Sequence, residues 1–149
     1  MKTFTDAKGR KWNICLNLAM AIHVKEKLGI DLLQPEIGDP PLLTKLGTDE
    51  YLLAQVICAL IDKQIEETKI TEEDVIESFD GKTLFDAHAA FYEELIDFFQ
   101  SRGRTDRSMT VAKQKRALDA AIQAVTKKVE SIDIESKIDG AISGVTLEQ

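Results

Sequence analysis

Between Tyr51 and Ile65 the chain carries apolar side chains on two neighbouring helical strips. Leu52, Val56, Ala59 and Leu60 form one, and Leu53, Ile57, Ile61 and Ile65 form the other. A helix apolar over so much of its circumference has to be surrounded by other elements, so the segment predicts a bundle with 51–65 at its centre. Leu84 to Phe99 is again apolar on a wide face and supplies a second central helix. With 149 residues, 44% of them hydrophobic, roughly 70% of the unfolded surface can be buried without disulfides or metal.

Shorter signals place the remaining elements. Thr3-Phe4-Thr5 and Lys11-Trp12-Asn13-Ile14 are β-prone around an Asp6-Ala7-Lys8-Gly9 turn, which predicts an N-terminal hairpin. A lone ribbon is marginal in water, so Phe4 and Trp12 should pack on helices or the ribbon should join another strand. Asn17 caps a helix through Leu18, Ile22 and Leu28, and Gly29 ends it. Pro35, Gly38, Pro40 and Pro41 keep 30–41 a loop, followed by a short helix around Leu42 to Leu46 and a cap at Thr48 or Asp49. Thr71-Glu72-Glu73-Asp74 resembles a capping box opening a short helix to Phe79.

The pattern changes at Ser101. Ser101 to Ser108 is apolar-free and arginine-rich and reads as a hinge. Beyond it Val111, Leu118, Ile122, Val125, Val129 and Ile132 recur at spacings of 7, 4, 3, 4 and 3, a single narrow stripe of about three heptads. Such a helix needs another surface: its own domain, a second copy or a different protein. The expected organisation is a helical core domain with its hairpin over 1–102, a linker over 103–110, an amphipathic helical arm over 111–142 and a frayed tail over 143–149. The fold class is mainly α.

Charge divides the same way. Residues 1–102 carry 11 basic and 19 acidic side chains, a balance of −8, and 103–149 carry 8 and 7. Arg102 to Lys128 is locally basic. An acidic body does not offer the positive field that phosphate contacts need, so nucleic acid is not an expected partner of the body, and the basic stretch leaves that reading to the arm.

Catalytic constellations are scarce. His23 and His88 are the only histidines and read as partly buried helix residues. Asp86 and His88, two apart on a helix, point about 200° apart. The acidic pairs Glu66-Glu67, Glu72-Glu73 and Glu93-Glu94 read as solvated faces. No P-loop, GxGxxG, GxSxG, HExxH or EF-hand pattern occurs. Cys15 and Cys58 sit among apolar neighbours without a CxxC, and two small buried thiols are expected, with a disulfide between them left open. Phe85, Phe91, Tyr92, Phe98 and Phe99 read as core, although consecutive Phe98 and Phe99 cannot both point one way, leaving one of them for the linker or a partner. No catalytic residue, metal site or cofactor is expected. The N-terminal residues lack the apolar run of a signal peptide, and no apolar stretch approaches 18 residues, so a reducing cytoplasm is the expected compartment and no membrane is involved.

Three stretches carry a family resemblance: Phe4-Thr5-Asp6-Ala7-Lys8-Gly9-Arg10-Lys11-Trp12, Leu28-Gly29-Ile30-Asp31-Leu32-Leu33 and Glu93-Glu94-Leu95-Ile96-Asp97-Phe98-Phe99. Their order and spacing resemble the tail assembly chaperones of tailed bacteriophages and prophages, over about residues 1–102. The resemblance implies a non-enzymatic protein of the bacterial host cytoplasm. It would bind the long helical tape measure protein, or other tail proteins, and assist tail-tube assembly. Partner binding is expected on the stripe Val111, Leu118, Ile122, Val125 and Val129 and on Arg104, Arg107, Lys115 and Arg116. Two alternatives stay open: a structural tail or neck component that oligomerises through the C-terminal helix, and a nucleic-acid-binding regulatory module using 102–128.

Overall fold

The computed structural model describes residues 2–117 together with 119, 120, 123, 124 and 127. The chain divides into two compact units, Met1–Lys115 and Arg116–Gln149. The first is mainly helical with one two-stranded antiparallel hairpin, the fold class expected from sequence. The expected frayed tail and the arm from 128 onward lie outside the described residues.

Strands β1 (Lys2–Thr5) and β2 (Lys11–Ile14) pair in the register Lys2↔Ile14, Thr3↔Asn13, Phe4↔Trp12 and Thr5↔Lys11. Gly9, at φ +81°, takes the left-handed turn position that a Cβ would strain. Phe4, Trp12 and Ile14 face inward and are buried, and Phe4 meets Phe79 edge-to-face at 5.9 Å. The turn is tied by Asp6, whose side chain is buried. Its Oδ1 accepts from the backbone N–H groups of Lys8 and Arg10, both at 2.9 Å, and its Oδ2 accepts from Arg10 Nε at 2.8 Å and Trp12 Nε1 at 2.9 Å. Burial by itself would raise this carboxyl's pKa. The Arg10 guanidinium, the Trp12 indole and the two backbone donors outweigh it and hold the pKa down to about 2.

Helix α1 (Leu18–Leu28) starts at Asn17, whose Oδ1 accepts from Met20 N–H at 2.9 Å, and ends at left-handed Gly29. Its buried residues are Ala21 and Val24, whereas Leu18 and Ile22, through which the sequence traces the helix, are 45% and 48% exposed. The helix is turned because it packs on α3 (Glu50–Leu60), and the small Ala21 side allows that approach. Asp49 ends α2 (Leu42–Thr48) and caps α3 through Leu52 N–H at 3.1 Å. As its two strips require, α3 is central: Val56, Ile57, Cys58 and Ala59 are fully buried.

The single helix expected over 51–65 is two. Ile61, at φ −113° and ψ 11°, separates α3 from α4 (Asp62–Glu67). The offset sets Ile65 in the core and places Gln64 beside β2, where its Oε1 accepts from Asn13 N–H at 2.9 Å and its Nε2 donates to Asn13 C=O at 2.8 Å. Helix α5 (Glu72–Glu77) opens with the expected capping box, Thr71 and Asp74 each accepting the other's backbone N–H. The hairpin turn docks here through Ala7 N–H to Ser78 C=O at 3.0 Å and Arg10 Nη2 to Asp74 C=O at 3.3 Å.

Helix α6 (Gly81–Ser101), capped by Asp80, is longer than the stretch read from sequence and lies closer to β1 than to β2. Phe91, Tyr92 and Leu95 fill the core beside it, and Tyr92 Oη donates to Leu43 C=O at 3.2 Å. Phe98 and Phe99 are both buried, and of the two places expected for the second ring Phe98 takes the one under the 101–108 stretch: the Arg102 guanidinium lies 5.2 Å above its ring and covers it.

The expected linker is also corrected. Arg102 and left-handed Gly103 turn the chain, Arg104 N–H bonds back to Phe99 C=O at 2.8 Å, and helix resumes at 105. Residues 105–117, here α7, carry Ser108 at 2% and Val111 at 0% exposure, so the first unit extends to Lys115 rather than stopping at 102. The segment is not a free connector: Arg102 covers Phe98 and Arg107 reaches Glu36, while Arg104 pairs with Asp106 inside the segment.

Candidate functional site

Of the residues expected to bind a partner, the structure describes Val111, Arg104, Arg107, Lys115 and Arg116. Val111 belongs to the core of the first unit. Leu118, Ile122, Val125 and Val129 lie outside the described residues. Arg104 makes a two-point bridge to Asp106, Nε to Oδ1 at 3.0 Å and Nη2 to Oδ2 at 2.9 Å. That hydrogen bonding raises the Arg104 pKa and pulls the Asp106 carboxyl down to about 2. Arg107 bridges Glu36 at 3.0 Å and also donates to Leu33 C=O, which clamps the 30–41 loop onto α7. Lys115 Nζ lies 4.0 Å from Glu93 Oε1. Arg116 is exposed and begins the second unit. Three of the four cations therefore face acids of the first unit, which weakens the positive field that a nucleic-acid backbone would need.

The titratable groups behave as structural parts. Burial pushes the Cys58 thiol up to about 12, far from thiolate reactivity. Burial likewise raises Tyr92 to about 12. Cys15 is exposed, contrary to expectation, because Ile14 and Leu16 on either side point inward. Both cysteines are free thiols. His88 is buried against the Tyr92 ring, 4.3 Å between centroids, while Asp86 is half-buried on the side toward β1, so the two diverge as the helical spacing requires. His23 Nε2 meets Asp62 Oδ2 at 2.5 Å, and Lys27 Nζ is 3.8 Å from the same oxygen. This bridge joins α1 to α4. Among the described residues no three His, Cys, Asp or Glu side chains converge to hold a metal ion.

Two features of the surface escaped the sequence reading. One is a set of large apolar side chains left in solvent: Leu18 and Ile22 one turn apart on α1, Tyr51 at 86% and Met109 at 66% exposure. The turn of α1 was not written in its own pattern, since Leu18, Ile22 and Leu28 make as good a stripe as Ala21, Val24 and Leu28. The other is a groove of 350 Å³ between β1 and α6, walled by Thr3, Phe4 and Thr5 on one side and by Asp86, Ala89, Ala90 and Glu93 on the other. Strand alternation announced the outward Thr3 and Thr5, but not which helix would lie beside them.

No helix among the described residues is long and apolar enough to cross a membrane. Compared with known proteins, the chain matches no family model, no curated protein and no solved structure.

Proposed function

We propose that this chain is a non-enzymatic tail assembly chaperone of a tailed bacteriophage or prophage, acting in the host cytoplasm on the tape measure protein. The observation that carries the reading is the position of the division at Lys115 and Arg116. The body before it buries its own core, Val111 included, and faces its arginines with acids. The stripe Leu118, Ile122, Val125 and Val129 falls entirely after it. A helix with such a stripe binds in the helix-in-groove mode or alongside another helix, and a long helical client offers that surface. The net charge of −7 favours solubility of a complex with an apolar chain.

Co-expression with the long helical tail protein encoded beside it, followed by a pull-down, tests the proposal. The client is expected in the soluble fraction together with the full chain, and Leu118→Asp or Ile122→Asp is expected to release it while the body keeps its melting transition. A client that stays insoluble in the presence of the full chain would overturn the reading. Recovery of the chain from purified virions would assign it to the particle as a structural component instead.

A further inference from the structure

The hairpin has two edges, and they are treated differently. The hydrogen bond from Asp6 N–H to Arg10 C=O, 2.9 Å, fixes the alternation of the ladder. Phe4↔Trp12 and Lys2↔Ile14 are then the pairs bonded across the ribbon, and Thr3↔Asn13 and Thr5↔Lys11 direct their backbone groups outward. On the β2 side the outward N–H and C=O of Asn13 are both taken by the Gln64 amide, in the place a third strand would occupy. On the β1 side the outward groups of Thr3 and Thr5 open on the 350 Å³ groove, with both side chains exposed and no hydrogen-bond partner among the described residues.

The far wall of that groove is built for a particular occupant. Asp86, Ala89, Ala90 and Glu93 are one stripe of α6. The two alanines keep the middle of the wall low, and the carboxylates mark its ends, about 10 Å apart along the helix. Three residues of extended chain span about the same length. Lys2, the residue that would place a positive charge across the strand edge, is drawn to Asp97 at 3.0 Å instead.

We propose that the β1 edge is a docking site for an extended, basic segment of a partner chain. The segment adds a third strand through the backbone of Thr3 and Thr5 and sets lysine or arginine side chains against Asp86 and Glu93. A second copy of this chain is the poorer occupant, because pairing β1 with β1 would bring two acidic walls together. The site lies wholly within the first unit and does not rest on the chaperone reading; Lys115 Nζ, 4.0 Å from Glu93 Oε1, is the cation that the incoming segment has to displace there.

The probe is a six-residue peptide of alternating lysine and valine, titrated into the isotopically labelled full chain. Hydrogen exchange at the Thr3 and Thr5 amides is expected to slow about tenfold on binding, the equivalent of one hydrogen bond each. A peptide of alternating glutamate and valine should leave both amides unchanged. Thr3→Pro removes one outward donor at an edge position where proline is tolerated, and is expected to weaken binding about tenfold with an unchanged melting temperature. Should that variant melt early, Asp86→Asn with Glu93→Gln serves in its place, since Glu93 is exposed, Asp86 is half-buried and both changes keep the side-chain shape, and a several-fold loss is expected. Protection that appears elsewhere, equal binding of the acidic peptide, or full affinity in the folded variants would overturn the proposal.

Discussion

The two ends of the first unit are held by the same residue types used in opposite ways. At the hairpin, one carboxylate, Asp6, is buried and takes four donors from Lys8, Arg10 and Trp12. At α7, several ion pairs lie in or near solvent: Arg104 with Asp106, Arg107 with Glu36 and Lys115 with Glu93. Fewer groups at the first end do more, because a buried acceptor cannot be replaced by water when it is lost. The α7 end draws its hold from Val111 and Ser108, with the surface pairs setting position.

The largest effect expected is therefore at Asp6. Asp6→Asn keeps the oxygen that receives the backbone but turns an NH₂ toward Arg10 and Trp12, two donors facing a donor. A loss of about 3 kcal/mol in chemical denaturation is expected. Trp12→Phe made in the same chain removes one of the clashing donors and should recover part of it. The same carboxylate gives a pH signature. Its folded pKa is about 2 and its ordinary value 3.8, so its contribution is complete above the ordinary value and fades as pH falls from about 4 to 2. Asp6→Asn should flatten that limb of the stability curve. A limb unchanged by the substitution would mean that Asp6 is not what the acid attacks.

Next comes Val111→Ala, expected to cost about 2 kcal/mol by leaving a cavity at a fully buried site. Measured in a chain ended after Lys115 as well as in the full chain, it reads whether α7 is core or appendage. An effect near zero in both would return Val111 to the partner-binding stripe in which the sequence places it.

That stripe shows where sequence stops being sufficient. Signals confined to a few neighbouring residues were legible: the Asn17 cap, the Gly29 stop, the Thr71–Asp74 capping box and the presence of the hairpin all follow from local chemistry. The centrality of α3 was legible too, since two apolar strips leave a helix no solvent face. What was hidden depends on partners far along the chain. Ala21 and Val24 face the core in place of Leu18 and Ile22 because α3 is there to meet them. Gln64 reads as an ordinary helix residue until Asn13, 51 positions away, is placed against it. The arginines of 102–107 look like a solvated hinge until Glu36, Leu33 C=O and the Phe98 ring are brought beside them. For the candidate site, alternation could give the outward faces of Thr3 and Thr5, and only the fold supplied the free β1 edge and its acidic wall.

The smaller effects separate the pairs of α7 from one another. Arg107 is half-buried and holds Glu36 together with the Leu33 carbonyl, so Arg107→Ala is expected to cost about 1 kcal/mol and to loosen exchange protection in the 30–41 loop. Arg104 and Asp106 are exposed partners two residues apart, and the hydrogen bonding that lowers the Asp106 pKa to about 2 is open to water and salt. Arg104→Ala should leave the melting temperature within error of the parent at physiological salt, despite the better bridge geometry. A clear drop for Arg104→Ala, matching that for Arg107→Ala, would mean that charge pairing rather than burial governs this end. The contrast with the hairpin would then fail at its weakest point.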